Sequence, residues 1–504
     1  MVAHAYTVAF EGVEARPVEV QCAITPGLPA FSIVGLPNKA VSEARDRVRT
    51  ALASLAIALP SKRITINLSP ADLPKEGSHF DLPIALGLLA ALDIIPKDAV
   101  AQTVALGELS LDGALVPVLG ALPAAMSAAN DDRALLCPYA SGPEAAWVDA
   151  CNVIAAKTLL DVVRHYSGQA VLEPAIAGEV AAQTSSKDLR DVKGQERAKR
   201  ALEIAAAGRH HLFMVGTPGS GKSMLAARMP GILPPLSAHE ALETSMIHSV
   251  AGILEEGGIP RSRPYRQPHH TASMAAIIGG GRGAKPGEVS MAHNGVLFLD
   301  ELPEFQRQVL ETLRQPVETG EVMVARANAH INYPCRFLLL AAANPCKCGY
   351  LSDPNQACSR APICGEDYLG RISGPLIDRF DLRLDVPPVS VADLDLPATG
   401  ESSETVAKRV AAARDLQRSR FENHDNMHTN ADAEGQALED IAALEPESRD
   451  LLLRAADRFR LSARGYHRVL RVARTIADLD QSENLQRPHV AEALSYRLVS
   501  TKES

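Results

Sequence analysis

Gly216-Thr217-Pro218-Gly219-Ser220-Gly221-Lys222-Ser223 fits G-x-x-x-x-G-K-[ST], and the apolar run Leu212-Phe213-Met214-Val215 just before it has strand character. Such a loop cradles phosphates. Where glycines stand, no side chain keeps backbone N–H groups from the anion, and the helix N-terminus behind the loop adds a positive dipole end. Lys222 is placed to reach the β and γ phosphates of ATP, and Ser223 to ligate Mg²⁺. A glycine-rich loop is also a plain turn in many chains, so its partners decide. Val296-Leu297-Phe298-Leu299-Asp300-Glu301 is a buried-strand pattern ending in two carboxylates. This puts Asp300 on the metal and Glu301 beside an attacking water; the plain alternative is a charge pair at a helix start. A third apolar run, Leu338 to Ala343, ends in Asn344, whose amide would orient water against the γ phosphate. Asparagine at a strand end also serves as a turn former.

Three strand ends need one sheet to bring them together. Residues 191–390 alternate strand and helix patterns, which predicts an α/β P-loop NTPase core, a parallel sheet with flanking helices. Residues 1–175 mix both element types. Thr7-Val8-Ala9-Phe10 and Ile64-Thr65-Ile66-Asn67 alternate as strands, and Ala40 to Leu55 carries apolar residues at helical spacing. Residues 176–190 and 391–405 read as linkers. From 406 to 504 the pattern is mainly helical, as in Arg449 to Phe459 and Gly465 to Leu479.

The 504 residues, 46% hydrophobic, suffice for about three domains of the usual ~150 residues. No run approaches the roughly 18 uninterrupted apolar residues of a membrane span, and the N-terminus lacks a signal-peptide pattern, so a soluble cytoplasmic protein is expected. A net charge of −9 argues against a generally basic nucleic-acid coat but leaves room for a locally basic channel. Among the eight cysteines, Cys346, Cys348, Cys358 and Cys364 crowd together. In a reducing compartment they form either a four-thiolate zinc site that staples a loop or a set of free thiols. Their spacing lacks two C-x₂₋₄-C pairs and leaves both readings open.

The chain resembles the magnesium-chelatase-like AAA+ proteins of the YifB/ComM group, competence-associated DNA helicases. The resemblance runs nearly end to end. It is carried by Phe31-Ser32-Ile33-Val34-Gly35-Leu36-Pro37, Asp191-Val192-Lys193-Gly194-Gln195, the nucleotide loop, Arg263 through Ser273, Ser373 through Asp381, and Arg464 through Ala477. It implies an AAA+ core with a helical C-terminal lid, assembled as a homo-hexamer that uses ATP and Mg²⁺ to move along DNA. Single-stranded, forked or branched DNA and recombination proteins such as a recombinase are then the expected partners, and branch migration of incoming strands the expected process. By the same resemblance Arg379 is an arginine finger reaching the neighbouring subunit's nucleotide, and Arg464 the lid arginine of sensor 2, with Arg468 and Arg471 as nearby candidates. A surface salt bridge to Asp378 or Asp381 is the plain alternative for Arg379, and solvent-facing helix charge the one for Arg464.

The N-terminal block resembles the α+β proteolytic domain of Lon, a ribosomal-S5-like fold. Pro74-Lys75-Glu76-Gly77-Ser78-His79-Phe80-Asp81 aligns with Lon's active-site string and puts His79 where the nucleophilic serine belongs; the catalytic lysine falls at Leu122. A Ser–Lys dyad needs both partners within hydrogen-bond reach, so the fold is expected without peptidase chemistry.

Between Arg261 and Lys285 there is no acidic residue, while Arg261, Arg263, Arg266, Arg282 and Lys285 are cationic. Clustered cations displace counterions from a nucleic-acid backbone, which makes this segment a candidate pore loop; an inter-subunit loop is the alternative. His269 and His270 read as structural histidines. A second candidate is a hairpin of Val322 to Ala325 and Ala329 to Asn332, with Arg326 near its tip; simple sheet extension is its alternative. With 4% aromatic residues, base stacking is not expected to dominate, so weak sequence preference and strong salt dependence follow. Nucleotide turnover is expected to shift the lid against the core and carry the pore loops with it. Two rival classes stand beside a DNA motor: the ATPase subunit of a metal chelatase, remodelling a protein partner, and an ATP-dependent protease.

Overall fold

The computed structural model describes residues 2–180, 187–254, 257–281, 284–326, 329–351, 356–389, 400–424 and 427–497, leaving out the side chains of 325, 326, 329 and 330. The strands Tyr265–Arg266, Val296–Leu299, Leu338–Ala343, Leu212–Val215 and Leu382–Asp385 lie side by side in that order, all parallel. Parallel strands covered on both faces read as continuous apolar runs, because neither side meets water. Here the alternation of side chains splits each run between two cores. Leu212, Met214, Val296, Phe298, Leu338 and Leu340 face one apolar cluster, whereas Phe213, Val215, Leu297, Leu299, Leu339 and Ala341 face the other.

The first cluster continues without a break into the C-terminal helices Ser403–Arg420, Pro446–Phe459, Ala463–Leu479 and Arg487–Ser495, through Val410, Leu452, Val469, Val472, Ile476 and Val490. Ser462 caps the helix Ala463–Leu479 by accepting from the Gly465 N–H at 3.1 Å. Polar contacts reinforce the seam. Arg414 and Gln417 donate to the carbonyls of Ala206 and Ala207 at the end of the helix Glu196–Gly208. Lid and core thus share one apolar cluster in this structure. Ser403 is already helical, which shortens the second expected linker; residues 390–399 lie outside the described residues.

The N-terminal block is built on a seven-stranded mixed sheet, ordered Ala30–Val34, Arg63–Ser69, Glu14–Thr25, Val2–Glu11, Thr103–Ala105, Ala134–Pro138, Val153–Ala156. The helices Lys39–Ser54 and Asp81–Ala91 close one face, the second almost wholly buried. This block leans on the core at two places. Trp147 Nε1 donates to the Gly257 carbonyl at 2.8 Å, and Ser249, on the helix Ala238–Ala251, donates to Glu144. The turn at Gly12 meets the antiparallel hairpin Glu321–Arg326 and Ala329–Pro334, close enough that an added Cβ would stand 2.7 Å from Ile331. Among the described residues no helix is long and apolar enough to cross a membrane.

Candidate functional site

The nucleotide loop leaves the strand Leu212–Val215 at Gly216, whose N–H donates to the Ala343 carbonyl at 3.1 Å. A Cβ at Gly216 would stand 2.3 Å from the Val386 carbonyl oxygen, so only glycine fits. Gly219 and Gly221 take φ of 78° and 91°, and an added Cβ at either would meet nothing within 4 Å. The loop is therefore tight against the sheet and open where a phosphate would sit. Thr217 Oγ1, also in the loop, is buried without a protein partner. Gln195 clamps the loop from outside, donating to the carbonyls of Ser220 at 3.3 Å and Pro387 at 2.6 Å.

Four of the expected groups converge on this loop. Lys222 Nζ donates to the carbonyls of Gly216 at 2.7 Å and Thr217 at 2.9 Å, and to Asn344 Oδ1 at 3.3 Å. Burial lowers the Lys222 pKa, while the charges of Asp300 and Glu301 oppose that. Ser223 Oγ donates to Asp300 Oδ2 at 2.7 Å, so hydroxyl and carboxylate can share one hard cation. Pro218 and Ser220 complete the loop, with Ser220 buried and its N–H donating to the Thr217 carbonyl at 3.2 Å.

Glu301 follows Asp300 in the left-handed region, φ 52°, with its N–H donating to Asp300 Oδ1 at 2.9 Å. A non-glycine residue there is uncommon and points to a functional constraint. Its carboxylate lies 3.3 Å from His270 Nδ1, and the His270 ring stacks on His269 at 4.2 Å between centroids. Sequence reading assigned the two histidines a structural role. For His270 the contact supplies a carboxylate partner, Glu301, which nothing in local spacing announces so far along the chain.

Arg379 and Arg464 lie elsewhere. With Arg209, Arg468 and Arg471 they line a cavity of about 490 Å³ between the core and the helical region, and no residue of the nucleotide loop borders it. Arg379 is buried, donating to the carbonyls of Arg314 at 3.0 Å and Pro375 at 2.6 Å and to the Glu318 carboxylate. The partner is thus neither Asp378, which meets Arg383, nor Asp381, which lies 3.5 Å from Arg468. Arg464 is 71% exposed, with Glu318 at 4.0 Å.

The cationic segment divides. Arg263 forms a two-pronged pair with Glu240, at 2.9 and 3.1 Å, and donates to the carbonyls of Pro234 and Asn294; Arg266 does the same with Glu288, at 2.6 and 2.8 Å. Both guanidinium groups are paired within the chain, Arg263 nearly buried and Arg266 partly exposed. Arg261 and Lys285 are exposed. Arg282 lies outside the described residues, and Arg326 ends the first hairpin strand with its side chain outside the description.

The four clustered cysteines come together. The sulfurs of Cys346, Cys348 and Cys364 lie within 4.8 Å of one another, and the Cys358 thiol lies against those of Cys348 and Cys364. In the N-terminal block, His79 is buried between Phe10 and Phe80, ring centroids at 5.3 and 4.4 Å, and its Nε2 donates to the Val8 carbonyl at 2.9 Å. Leu122 is wholly buried.

Residues 188–394 match the family described as magnesium chelatase, subunit ChlI; residues 18–141 match subunit ChlI of Mg-chelatase, and 400–497 its C-terminal family. Competence protein ComM of Haemophilus influenzae is 45% identical over 98% of this chain and 96% of its own. YifB of Escherichia coli is 43% identical with the same coverage of each. The magnesium-chelatase 38 kDa subunit of Rhodobacter capsulatus is 27% identical over 31% of this chain and 49% of its own.

Proposed function

The chain belongs to the YifB/ComM family of magnesium-chelatase-like AAA+ ATPases, and on that footing we propose that it is a hexameric, ATP-driven DNA motor promoting branch migration in homologous recombination of incoming DNA. The observation that carries this reading is the separation of two half-sites. The nucleotide loop gathers Lys222, Ser223, Asp300 and Asn344, with Glu301 next to Asp300, while Arg379 and Arg464 line a cavity no loop residue borders. A site divided this way is completed only when the arginine face of one subunit meets the loop of the next, a heterologous contact that closes into a ring.

In the completed site Lys222 and the loop N–H groups would hold the phosphates, and Ser223 and Asp300 would hold Mg²⁺, which when bound would supply charge neutralisation at the phosphates. Glu301 accepts the proton of the attacking water, with Asn344 orienting that water. Arg379 of the adjacent subunit stabilises the transition state. Nucleotide turnover would shift the helical region against the α/β core across their shared apolar cluster and carry the candidate pore loops with it. Arg261 and Lys285 are the exposed cations of the candidate pore segment among the described residues, and a near full-length relative carries the name competence protein.

The chelatase reading draws support from the 38 kDa subunit, but that likeness spans under a third of the chain. The protease reading has the least support, because the positions of nucleophile and base carry a buried His79 and a buried Leu122. ATP hydrolysis measured with and without forked, single-stranded and duplex DNA separates the classes. DNA stimulation and loss of branch migration in Lys222→Ala and Glu301→Gln are expected. Branch migration that survived both substitutions would overturn the proposal.

A further inference from the structure

Residues 344–362 join the strand Leu338–Ala343 to the helix Ile363–Leu369, and among the described residues they contain no helix or strand. The segment offers few apolar side chains to hold it. What it does offer is sulfur. Cys346 and Cys364 are buried, and the Cys346 and Cys348 sulfurs are 3.0 Å apart. Gly349 closes the turn with φ 88°, donating its N–H to the Cys346 carbonyl at 3.0 Å.

Zinc is the ion that four cysteine sulfurs suit. Zn–S bonds of ~2.3 Å put tetrahedral sulfurs about 3.8 Å apart, inside the 4.8 Å within which Cys346, Cys348 and Cys364 lie, so Cys346 and Cys348 need part by under about 1 Å, and Cys358, against Cys348 and Cys364, would close in as the fourth ligand. Disulfides fit less well, because each sulfur has more than one neighbour and no pairing is singled out.

The position of this cluster gives it a consequence. Asn344, which meets Lys222, stands two residues before Cys346, and an added Cβ on Gly349 would lie 2.5 Å from Cγ of Pro218 in the nucleotide loop. We propose that Cys346, Cys348, Cys358 and Cys364 bind one zinc ion, and that this ion fixes the loop buttressing Pro218 and Asn344, so that its loss weakens ATP binding. The inference rests on the nucleotide-site reading but not on DNA movement.

The test uses the full chain purified without chelators. Metal analysis should give about one zinc per chain, released when a mercurial titrates the thiols and read with a chromogenic chelator. Cobalt in its place should show the ligand-field bands of a tetrahedral thiolate site. Cys358→Ser/Cys364→Ser should lose the metal and bind a fluorescent ATP analogue about tenfold or more weakly, with unchanged circular dichroism. Cys137→Ser, a buried cysteine far from the cluster, should change neither. Gly349→Ala should keep zinc yet weaken the analogue, separating metal binding from buttressing. A chain that neither contains nor takes up zinc overturns the proposal, as does a zinc-free chain that binds the analogue as tightly as the loaded one. Should the zinc-loaded chain bind no analogue at all, the nucleotide-site reading fails instead.

Discussion

His270 Nδ1 lies 3.3 Å from the carboxylate of Glu301, the residue placed to activate water. His270 sits on the segment that leaves the strand Tyr265–Arg266 and carries the candidate DNA-contacting cations, so the pair links two tasks. A carboxylate whose oxygen is engaged by an imidazole is the weaker base, so the contact restrains its taking a proton from water. With side chains 29% and 51% exposed, such a pair is worth about 0.5–1 kcal/mol. That corresponds to about 2- to 5-fold in rate. His270→Ala should therefore raise DNA-free ATP turnover by that factor and shrink its stimulation by DNA. A drop in both rates would mean that His270 positions Glu301 productively, and the restraint reading would fall.

Arg379 and Lys222 are expected to serve the same nucleotide from different subunits. Each of Arg379→Ala and Lys222→Ala alone should lower ATP turnover by ~10³ or more. Mixed in equal amounts, they should recover activity. Wherever an Arg379→Ala subunit supplies the loop and a Lys222→Ala subunit the arginine, one whole site is rebuilt, and random assembly makes about a quarter of interfaces of this kind. If Arg379 worked within its own chain, the mixture would stay as inactive as its components.

Cations of one segment should separate into two classes of mutant. Arg261→Ala and Lys285→Ala are expected to leave stability unchanged and to lower the salt dependence of DNA binding by about one counterion each. Arg263→Ala should behave differently, because it strands Glu240, which is already held below the usual carboxylate range despite its burial. A loss of about 2 kcal/mol is expected, read as an earlier denaturation midpoint, with an unchanged salt slope for the folded fraction. A reduced slope in Arg263→Ala would return this arginine to the DNA.

These differences mark what one-dimensional reading can reach. The strands Leu212–Val215, Val296–Leu299 and Leu338–Ala343 are legible because burial on both faces leaves continuous apolar runs. The loop from Gly216 to Ser223 is legible because backbone approach to phosphate dictates its glycines at fixed spacing. Arginine charge is a different matter. Arg263 and Arg266 look free in sequence, since Glu240 and Glu288 come from other elements and only the fold brings them near. The role of His270 is hidden for the same reason, and so is that of Glu318, which holds Arg379. The cysteine spacing leaves zinc and free thiols level, because it does not say whether the intervening turns bring the four sulfurs together.

His79 is expected to make the N-terminal block labile to acid. Burial pushes its pKa down to about 4, against the opposing hydrogen bond to the Val8 carbonyl, whereas in the unfolded chain it titrates near ~6.5. Well above pH ~6.5 the ring is neutral in both states and contributes no pH dependence. As pH falls below that, the unfolded chain takes up a proton that the folded block refuses, so stability declines until the folded pKa is reached. For this one group the decline between pH ~7.5 and ~5 is on the order of 2 kcal/mol. His79→Gln keeps a donor for Val8 and removes the titration, so it should shrink the loss of urea resistance over that range. Trp147, the single tryptophan, lies in the same block and its emission reports the unfolding. An unchanged pH dependence in His79→Gln would place the proton uptake elsewhere. His211 would be the next site to examine, its pKa likewise brought down by burial to about 4.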